Sequence, residues 1–315
     1  MLEQMDVLSA LLTLVRLEGR FLSQWSMSGP WAVDGAAEGR ALFVYALEGR
    51  IDVQADDGET VSLEPGDMAL FPHGAAQRIG NALERTGVPI GQFLPASGFE
   101  GYSQAGGSAG ATTSRLLYAG MNYDVMQAMP LCQLFPSVLV VKAAAIDEEP
   151  MLLHGLRGLH AQAERSAPGH NPILLRAIEL IYTLGLSLAL TGSGRGSGRI
   201  SQALRDPRIA RCLYFMYTNF REKWSIDDLA ARVGMSKSAL SSRFRELVGE
   251  PPARHLARIR VAEASQLLRT TDLSQDAVAQ HVGYGTTVGM HLAFRSILGE
   301  APGAVRKRGD SASSA

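Results

Sequence analysis

Ser225-Ile-Asp-Asp-Leu-Ala-Ala-Arg-Val-Gly234 recurs 49 residues later as Ser274-Gln-Asp-Ala-Val-Ala-Gln-His-Val-Gly283. Phe244-Arg-Glu-Leu-Val-Gly-Glu-Pro-Pro252 recurs 50 residues later as Phe294-Arg-Ser-Ile-Leu-Gly-Glu-Ala-Pro302. Two blocks, repeated in the same order at nearly one offset, mark a duplicated structural unit. In the first copy Leu229, Ala230 and Val233 fall on one face of a short helix. Gly234 supplies the positive φ of a tight turn, and Ser236 can cap a second helix whose apolar face holds Leu240 and Phe244. In the second copy Val278, Ala279, Val282, Gly283, Thr286, Met290 and Phe294 take those places.

Each copy therefore has a helix-turn-helix layout, and the second helix of such a pair can enter the major groove of DNA. Between the copies His255–Leu268 reads as an amphipathic helix with Leu256, Ile259, Ala264, Leu267 and Leu268 apolar. About 14 residues at 1.5 Å each span about 21 Å. Such a helix can hold two recognition helices roughly one DNA turn, about 34 Å, apart.

Charge agrees with this reading. Residues 199–308 hold 18 Lys and Arg against 10 Asp and Glu, and the rest of the chain holds 12 against 21. A basic segment on an acidic body fits a polyanion-binding module.

These residues resemble the AraC/XylS family of bacterial transcription regulators. The resemblance rests on Trp224-Ser225, Leu229-Ala230, Met235-Ser236, Leu240, Arg243-Phe244, Gly249, Pro252, Arg260, Ala264, Leu267-Leu268, Gly283-Tyr284, Phe294-Arg295, Gly299 and Pro302. It implies an all-α domain of two helix-turn-helix units over 205–308, and a sequence-specific DNA-binding regulator that activates transcription. It also implies double-stranded DNA and RNA polymerase as partners, and a homodimer. By this similarity Ser238, Ser241, Ser242, Thr287, Val288, His291 and Leu292 face the bases, while Ser236, Lys237, Arg243, Arg245, Thr286 and Arg295 contact phosphates. The family commonly carries an Arg or polar group at the positions of Ser242 and Leu292, where this chain departs. Short hydroxyls and apolar groups cannot make the bidentate guanine contact of Arg, but they suit thymine methyls and single hydrogen bonds.

Upstream, residues 20–125 read as short strands. Leu42–Leu47, Ile51–Ala55, Val61–Leu63 and Met68–Phe71 are separated by Glu48-Gly49, Asp56-Asp57-Gly58 and Pro65-Gly66-Asp67 turns. That spacing predicts a sandwich or small barrel. Gly66, Pro72, Gly74, Gln77 and Asn81 resemble a motif of cupin barrels, so the expected class is α+β: a cupin-like β-barrel with a helical bundle, then the all-α domain. In metal-binding cupins the position of Gln77 holds His, and Val44 takes a strand position where related sensors carry His. No metal site and no cofactor is therefore expected. Trp25, Trp31, Phe43, Tyr45, Phe71, His73 and Gln77 are the candidate lining of a pocket for a small-molecule effector, with ordinary core packing as the alternative.

The expected organisation is a sensor domain over 1–125, a helical dimerisation or connector region over 126–190, a flexible linker over 191–204, the DNA-binding domain over 205–308 and a disordered tail over 309–315. Residues 103–114, rich in Gly and Ser, read as a flexible loop. Asn171-Pro172 starts a helix that is apolar on most faces to Leu190, and self-association or an intradomain core would each bury it. With Arg176 and Glu179 inside and 18 residues from Ile173 to Leu190, it makes a poor membrane span.

Leu8, Leu11, Leu12 and Val15 read as a helix ended by Gly19 rather than as a signal peptide. Cys132 and Cys212 have no CxxC spacing; a redox-sensing role is the alternative to plain apolar burial. These features place the protein in the cytoplasm. No nucleotide-binding glycine loop, nucleophile elbow or HExxH motif occurs, so no enzyme is expected. The readings that compete with an effector-modulated regulator are a cupin-type enzyme and a regulator controlled by a protein partner.

Overall fold

Strand-forming residues dominate the first half of the computed structural model, which describes residues 8, 12, 17–95, 101–106, 112–123, 135–163, 170–192 and 198–313. Two units separate, one of residues 17–123 with 135–198, the other of residues 8 and 12 with those from 199 onward.

The first unit holds two sheets. One comprises β1 (Leu17–Ser28), β3 (Ala41–Glu48), β6 (Met68–Phe71), β9 (Gly101–Gly106), β10 (Thr112–Tyr123) and β11 (Leu139–Val141), in the order β11-β6-β3-β10-β1-β9. The other comprises β2 (Ala32–Gly35), β4 (Ile51–Ala55), β5 (Thr60–Leu63), β7 (Gln77–Gly80) and β8 (Val88–Pro89), in the order β5-β4-β7-β2-β8. The expected barrel is corrected here: among the described residues neither sheet closes, and β11, β9, β5 and β8 remain edges.

Side chains alternate across each strand. Phe21, Trp25, Leu42, Val44, Ala46, Ala69, Phe71, Leu116 and Tyr118 therefore face Val33, Ile51, Val53, Leu63 and Ile79 of the second sheet in one core. The opposite face of the larger sheet meets α3 (His170–Thr191), which follows α1 (Ala143–Asp147) and α2 (Pro150–Ala163). A Cβ on Gly185 of α3 would touch Met68 Sδ and Leu70 Cδ1, and one on Gly19 would fall on the Leu175 carbonyl. Helix α3 has the length and apolarity of a membrane span, with a mean hydropathy of 1.8 over Asn171–Thr191, but it lies against this sheet. Its charge has a local use: Glu179 accepts the backbone N–H of Gly19 at 2.8 Å and the guanidinium of Arg176 at 3.0 Å.

Several boundaries differ from expectation. Gly19 lies inside β1, so it does not end a helix; of the residues expected in that helix, Leu8 and Leu12 are described and both are helical. Ser103–Gly106 and Thr112–Ser114, expected in a flexible loop, are strand, because pairing with β1 overrides composition. Leu139–Val141, inside the expected helical region, pairs with Met68–Leu70. The turn at Asp67 holds that strand's exit: its buried carboxylate accepts the Ala143 N–H at 2.8 Å and the Lys142 ammonium at 2.7 Å.

The second unit is helical throughout: α4 (Gly198–Arg205), α5 (Pro207–Thr218), α6 (Ile226–Arg232), α7 (Lys237–Val248), α8 (Pro252–Thr270), α9 (Gln275–His281), α10 (Thr287–Leu298) and α11 (Pro302–Ser313). Helix α4 occupies much of the expected 191–204 linker, because Ile200 and Ala203 fall on one face and are fully buried. Helix α11 continues through Ser313, where a tail from 309 was expected. Helix α8 is longer than the span read from sequence, and its 19 residues rise about 28 Å. One core lies within the second repeat: Val261, Ala264 and Leu268 of α8 pack with Val278, Ala279, Val282, Met290, Phe294 and Val305.

Candidate nucleic-acid interface

Each recognition helix is set by local chemistry before tertiary packing acts. In the first copy Ser225 and Asp228 form a reciprocal capping box at the start of α6. Gly234 turns the chain at φ 66°, Ser236 accepts the Ala239 N–H at 3.2 Å to cap α7, and Gly249 ends that helix at φ 90°. In the second copy Ser274 caps α9 through the Ala277 N–H, and Gly283 turns at φ 84°. Thr286 then caps α10 through the Gly289 N–H, and Gly299 ends it at φ 74°. The inward stripes Leu240/Phe244 and Met290/Phe294 are fully buried.

The outward stripes are the candidate surface. On α7, Ser238, Ser241, Ser242 and Arg245 follow i, i+3, i+4, i+7 spacing and share a face. On α10, Val288, His291, Leu292 and Arg295 repeat that spacing, with Thr287 beside them. Val288 and Leu292 are 68% and 65% exposed, an apolar pair on a recognition helix that nothing in the unit covers.

The six candidate phosphate contacts separate into three kinds. Arg245 and Arg295 are exposed and hold no ion pair among the described residues. Lys237 reaches Asp227 at 2.8 Å, and Arg243 reaches Asp206 at 2.8 Å and Glu246 at 2.9 Å, so both cations are engaged within the unit. Arg243 also lies off the outward stripe, in a cleft of about 560 Å³ lined by Asp206, Ala239 and Glu246. The hydroxyls of Ser236 and Thr286 already accept their capping N–H groups.

Burial alone would raise the Asp206 carboxyl, but the Arg243 guanidinium and the N–H groups of Ile209 and Arg208 outweigh it and hold the carboxyl below its ordinary range. Asp206 thereby caps α5 and ties it to α7.

Several anchoring residues escape a reading by motif. His255 of α8 is fully buried, with Nδ1 2.9 Å from Glu250 and Nε2 3.2 Å from the Tyr217 hydroxyl. Glu250 also pairs with Arg258 at 3.1 Å. Burial would raise the Glu250 carboxyl, yet the His255 hydrogen bond and the charges of His255, Arg258 and Arg254 leave it lowered. Arg260 donates to the Phe220 and Glu222 carbonyls and lies over the Tyr284 ring, joining α8 to the second turn. The helical spacing of His255 and Arg260 is legible in sequence, but Tyr217, Phe220 and Glu222, which they bond, lie 38 to 40 residues upstream.

In the first unit the candidate effector lining divides. Trp25, Trp31 and Phe71 belong to the core between the sheets, where Trp25 stacks on Tyr118 at 5.0 Å and meets Trp31 edge-on at 6.4 Å. Gln77 joins them, donating from Nε2 to the Tyr118 hydroxyl at 2.7 Å, while its Oε1 is buried without a partner. Burial pushes the Tyr118 hydroxyl well above the ordinary tyrosine range. Phe43 and Tyr45 alternate with Leu42, Val44 and Ala46, and so lie on the opposite face of β3. Neighbouring Arg157 and Asp147 place Tyr45 beside the helices. His73 hydrogen-bonds the Phe135 carbonyl at 2.9 Å. Asn81 closes a turn, accepting from Trp31 N and donating to the Gly29 carbonyl. Among the described residues no three of His, Cys, Asp and Glu gather as a metal-binding group. Cys212 is buried, and Cys132 lies outside the described residues.

Comparison with known proteins matches residues 6–186 to a family described as Cupin and residues 229–308 to one described as Helix-turn-helix domain. The HTH-type transcriptional regulator AlkR of Acinetobacter baylyi is 24% identical over 302 residues, covering 95% of this chain and 98% of its own. The HTH-type transcriptional activator AarP of Providencia stuartii is 30% identical over 98 residues, covering 31% of this chain and 73% of its own. The crystal structure of the DNA-binding domain of AdpA with a target DNA is 35% identical, with a TM-score of 0.31, covering 31% of this chain and 89% of that one.

Proposed function

The chain belongs to the AraC family of DNA-binding transcriptional regulators, with a cupin-type N-terminal domain, and from that premise we propose that it activates transcription when a small molecule acts on the N-terminal unit. The observation that carries the DNA-reading part is the pair of outward stripes on α7 and α10, each ending in an exposed arginine. Ser238, Ser241 and Ser242 on α7, and Thr287, Val288, His291 and Leu292 on α10, read base edges in the major groove. Arg245 and Arg295 anchor the phosphates beside them. Activation through RNA polymerase is supported by the similarity to AarP, an activator by name.

The effector reading rests on the buried Gln77 amide, whose unpaired oxygen stands in an aromatic core. A ligand that binds only the folded state raises thermal stability, so a small-molecule melting screen of the full chain tests it. Self-association through α3 would cover Ile173 and Leu180, which are exposed in the single chain. The reaction partner is double-stranded DNA in the cytoplasm, and no catalytic step is assigned.

The deciding experiment is a salt titration of the full chain on DNA from upstream of its own gene and on a scrambled duplex. Tighter binding to the upstream DNA, weakening steeply as salt rises, is the expected result. Equal affinity for both duplexes, repeated on sequences enriched from a random pool, would refute sequence-specific reading.

A further inference from the structure

We propose that Gln275 and Asp276, at the start of α9, set the second helix-turn-helix unit to read A·T base pairs by fixing the hydrogen-bonding polarity of His291 and Thr287. The inference rests on the assignment of α10 as a base-reading helix.

The start of α9 lies against the first turns of α10. Gln275 Oε1 is 2.6 Å from His291 Nε2, and Asp276 Oδ1 accepts the Thr287 hydroxyl. An amide oxygen and a carboxylate oxygen can only accept, so each partner must supply its proton. His291 then carries its proton on Nε2, and a neutral imidazole protonated there keeps Nδ1 as an acceptor. Thr287, with its hydroxyl hydrogen directed at Asp276, offers only oxygen lone pairs to a third group. With Arg295 at the end of the stripe assigned to phosphate, both polar members at the base-reading positions thus become acceptors, while the remaining members there, Val288 and Leu292, are exposed and apolar.

Major-groove edges differ in what they offer such a face. Adenine N6 and cytosine N4 are donors, guanine presents only acceptors, and thymine alone carries a methyl group. Acceptors beside apolar side chains match an adenine donor beside the methyl of thymine. A G·C pair offers the cytosine donor but no methyl, and it sets guanine N7 and O6 against the acceptors. Gln275 and Asp276 are positioning residues here: they determine what His291 and Thr287 present.

In the first copy the residue at the position of Asp276 is Asp227, which holds Lys237 instead. The position of Gln275 is taken there by Ile226. The polarity device therefore belongs to the second unit.

The test is selection of duplexes from a random pool by the full chain, followed by affinities for paired duplexes that exchange A·T for G·C at one position. Four proteins are compared: wild type, Gln275→Lys, Gln275→Ala and His291→Ala. Wild type should prefer A·T at the positions lost in His291→Ala, by about fivefold or more. Gln275→Lys places a donor against Nε2, so His291 must turn its N–H outward, and the preference should move to G·C. Gln275→Ala should flatten it. A change in His291→Ala with none in either Gln275 variant would overturn the polarity device and leave base reading by α10 intact. No change in His291→Ala would overturn both. Selection of G·C by wild type at those positions would also overturn the proposal.

Discussion

Arg245 and Arg295 occupy equivalent positions 50 residues apart, each closing the outward stripe of a recognition helix and each exposed. If both hold phosphates as proposed, replacing them by alanine removes two contacts without touching a buried group. Each neutralised phosphate contributes about 0.9 to the slope of log affinity against log salt concentration. The double variant should therefore flatten that slope by about 1.8. At about 0.15 M salt, relative to a 1 M reference, each contact amounts to about 0.74 decade, so the pair costs about 30-fold in affinity. The loss should be uniform across sequences, because phosphate contacts carry no sequence information.

Arg243→Ala is the matched control. That arginine is held by Asp206 at 2.8 Å and Glu246 at 2.9 Å, off the stripe. Its loss should lower the melting temperature and leave the slope nearly unchanged. The assay is fluorescence anisotropy on a labelled duplex across a salt series, with thermal melts of each protein alone. A flattened slope in Arg243→Ala, together with an unchanged slope in the Arg245/Arg295 variant, would refute the assignment of the DNA-facing side.

Replacing both Val288 and Leu292 by alanine should leave folding stability within about 0.5 kcal/mol, since both are exposed. The same variant should lose the wild-type preference for thymine over uracil in matched duplexes; retention of that preference would show that other groups meet the methyls. Asp206→Ala should cost about 1 kcal/mol or more at neutral pH through the lost cap of α5. Because the folded-state pKa of Asp206 lies below its unfolded value, its stabilisation is present above the unfolded pKa and fades as pH falls through the folded one. Urea denaturation should then show the gap between wild type and variant narrowing from about pH 7 to about pH 3. Gly234→Ala should cost about 1–2 kcal/mol, because φ is 66° but the space around it is open. Gly283→Ala should cost more, because a Cβ there would come within 2.5 Å of the Arg221 carbonyl oxygen; equal melting temperatures for the two variants would contradict this. Burial pushes the Cys212 thiol up to about 12, so alkylation at about pH 8 should proceed only after unfolding. Rapid labelling of the native protein would contradict the burial.

The duplicated unit was legible because its signals are local. Ser225 and Ser274 cap helices through N–H groups three residues ahead, and Gly234 and Gly283 turn the chain by their own φ. The four-residue spacing of Leu240 and Phe244, and of Met290 and Phe294, marks the buried face without knowledge of what covers it. Strands β3 to β6 were readable for the same reason, from short apolar runs, alternation and turn residues close in sequence. Partners distant in sequence were not readable. The Ser-rich run near residue 103 becomes strand because β1, some 80 residues earlier, offers it a hydrogen-bonding edge. Phe43 and Tyr45 leave the candidate pocket because one residue of register turns a side chain to the other face, and register is set by β6 and β10. Arg243 and Arg245 are alike in sequence; Asp206, 37 residues upstream of Arg243, engages one of them in an ion pair and leaves the other exposed. The amino-acid sequence by itself determined the twin helix-turn-helix and its outward stripes, since helix periodicity and capping act within a few residues. Tertiary structure alone decided which charges stay free and which group stands beside His291, because an ion pair or a hydrogen bond is set by whatever folding brings within about 3 Å.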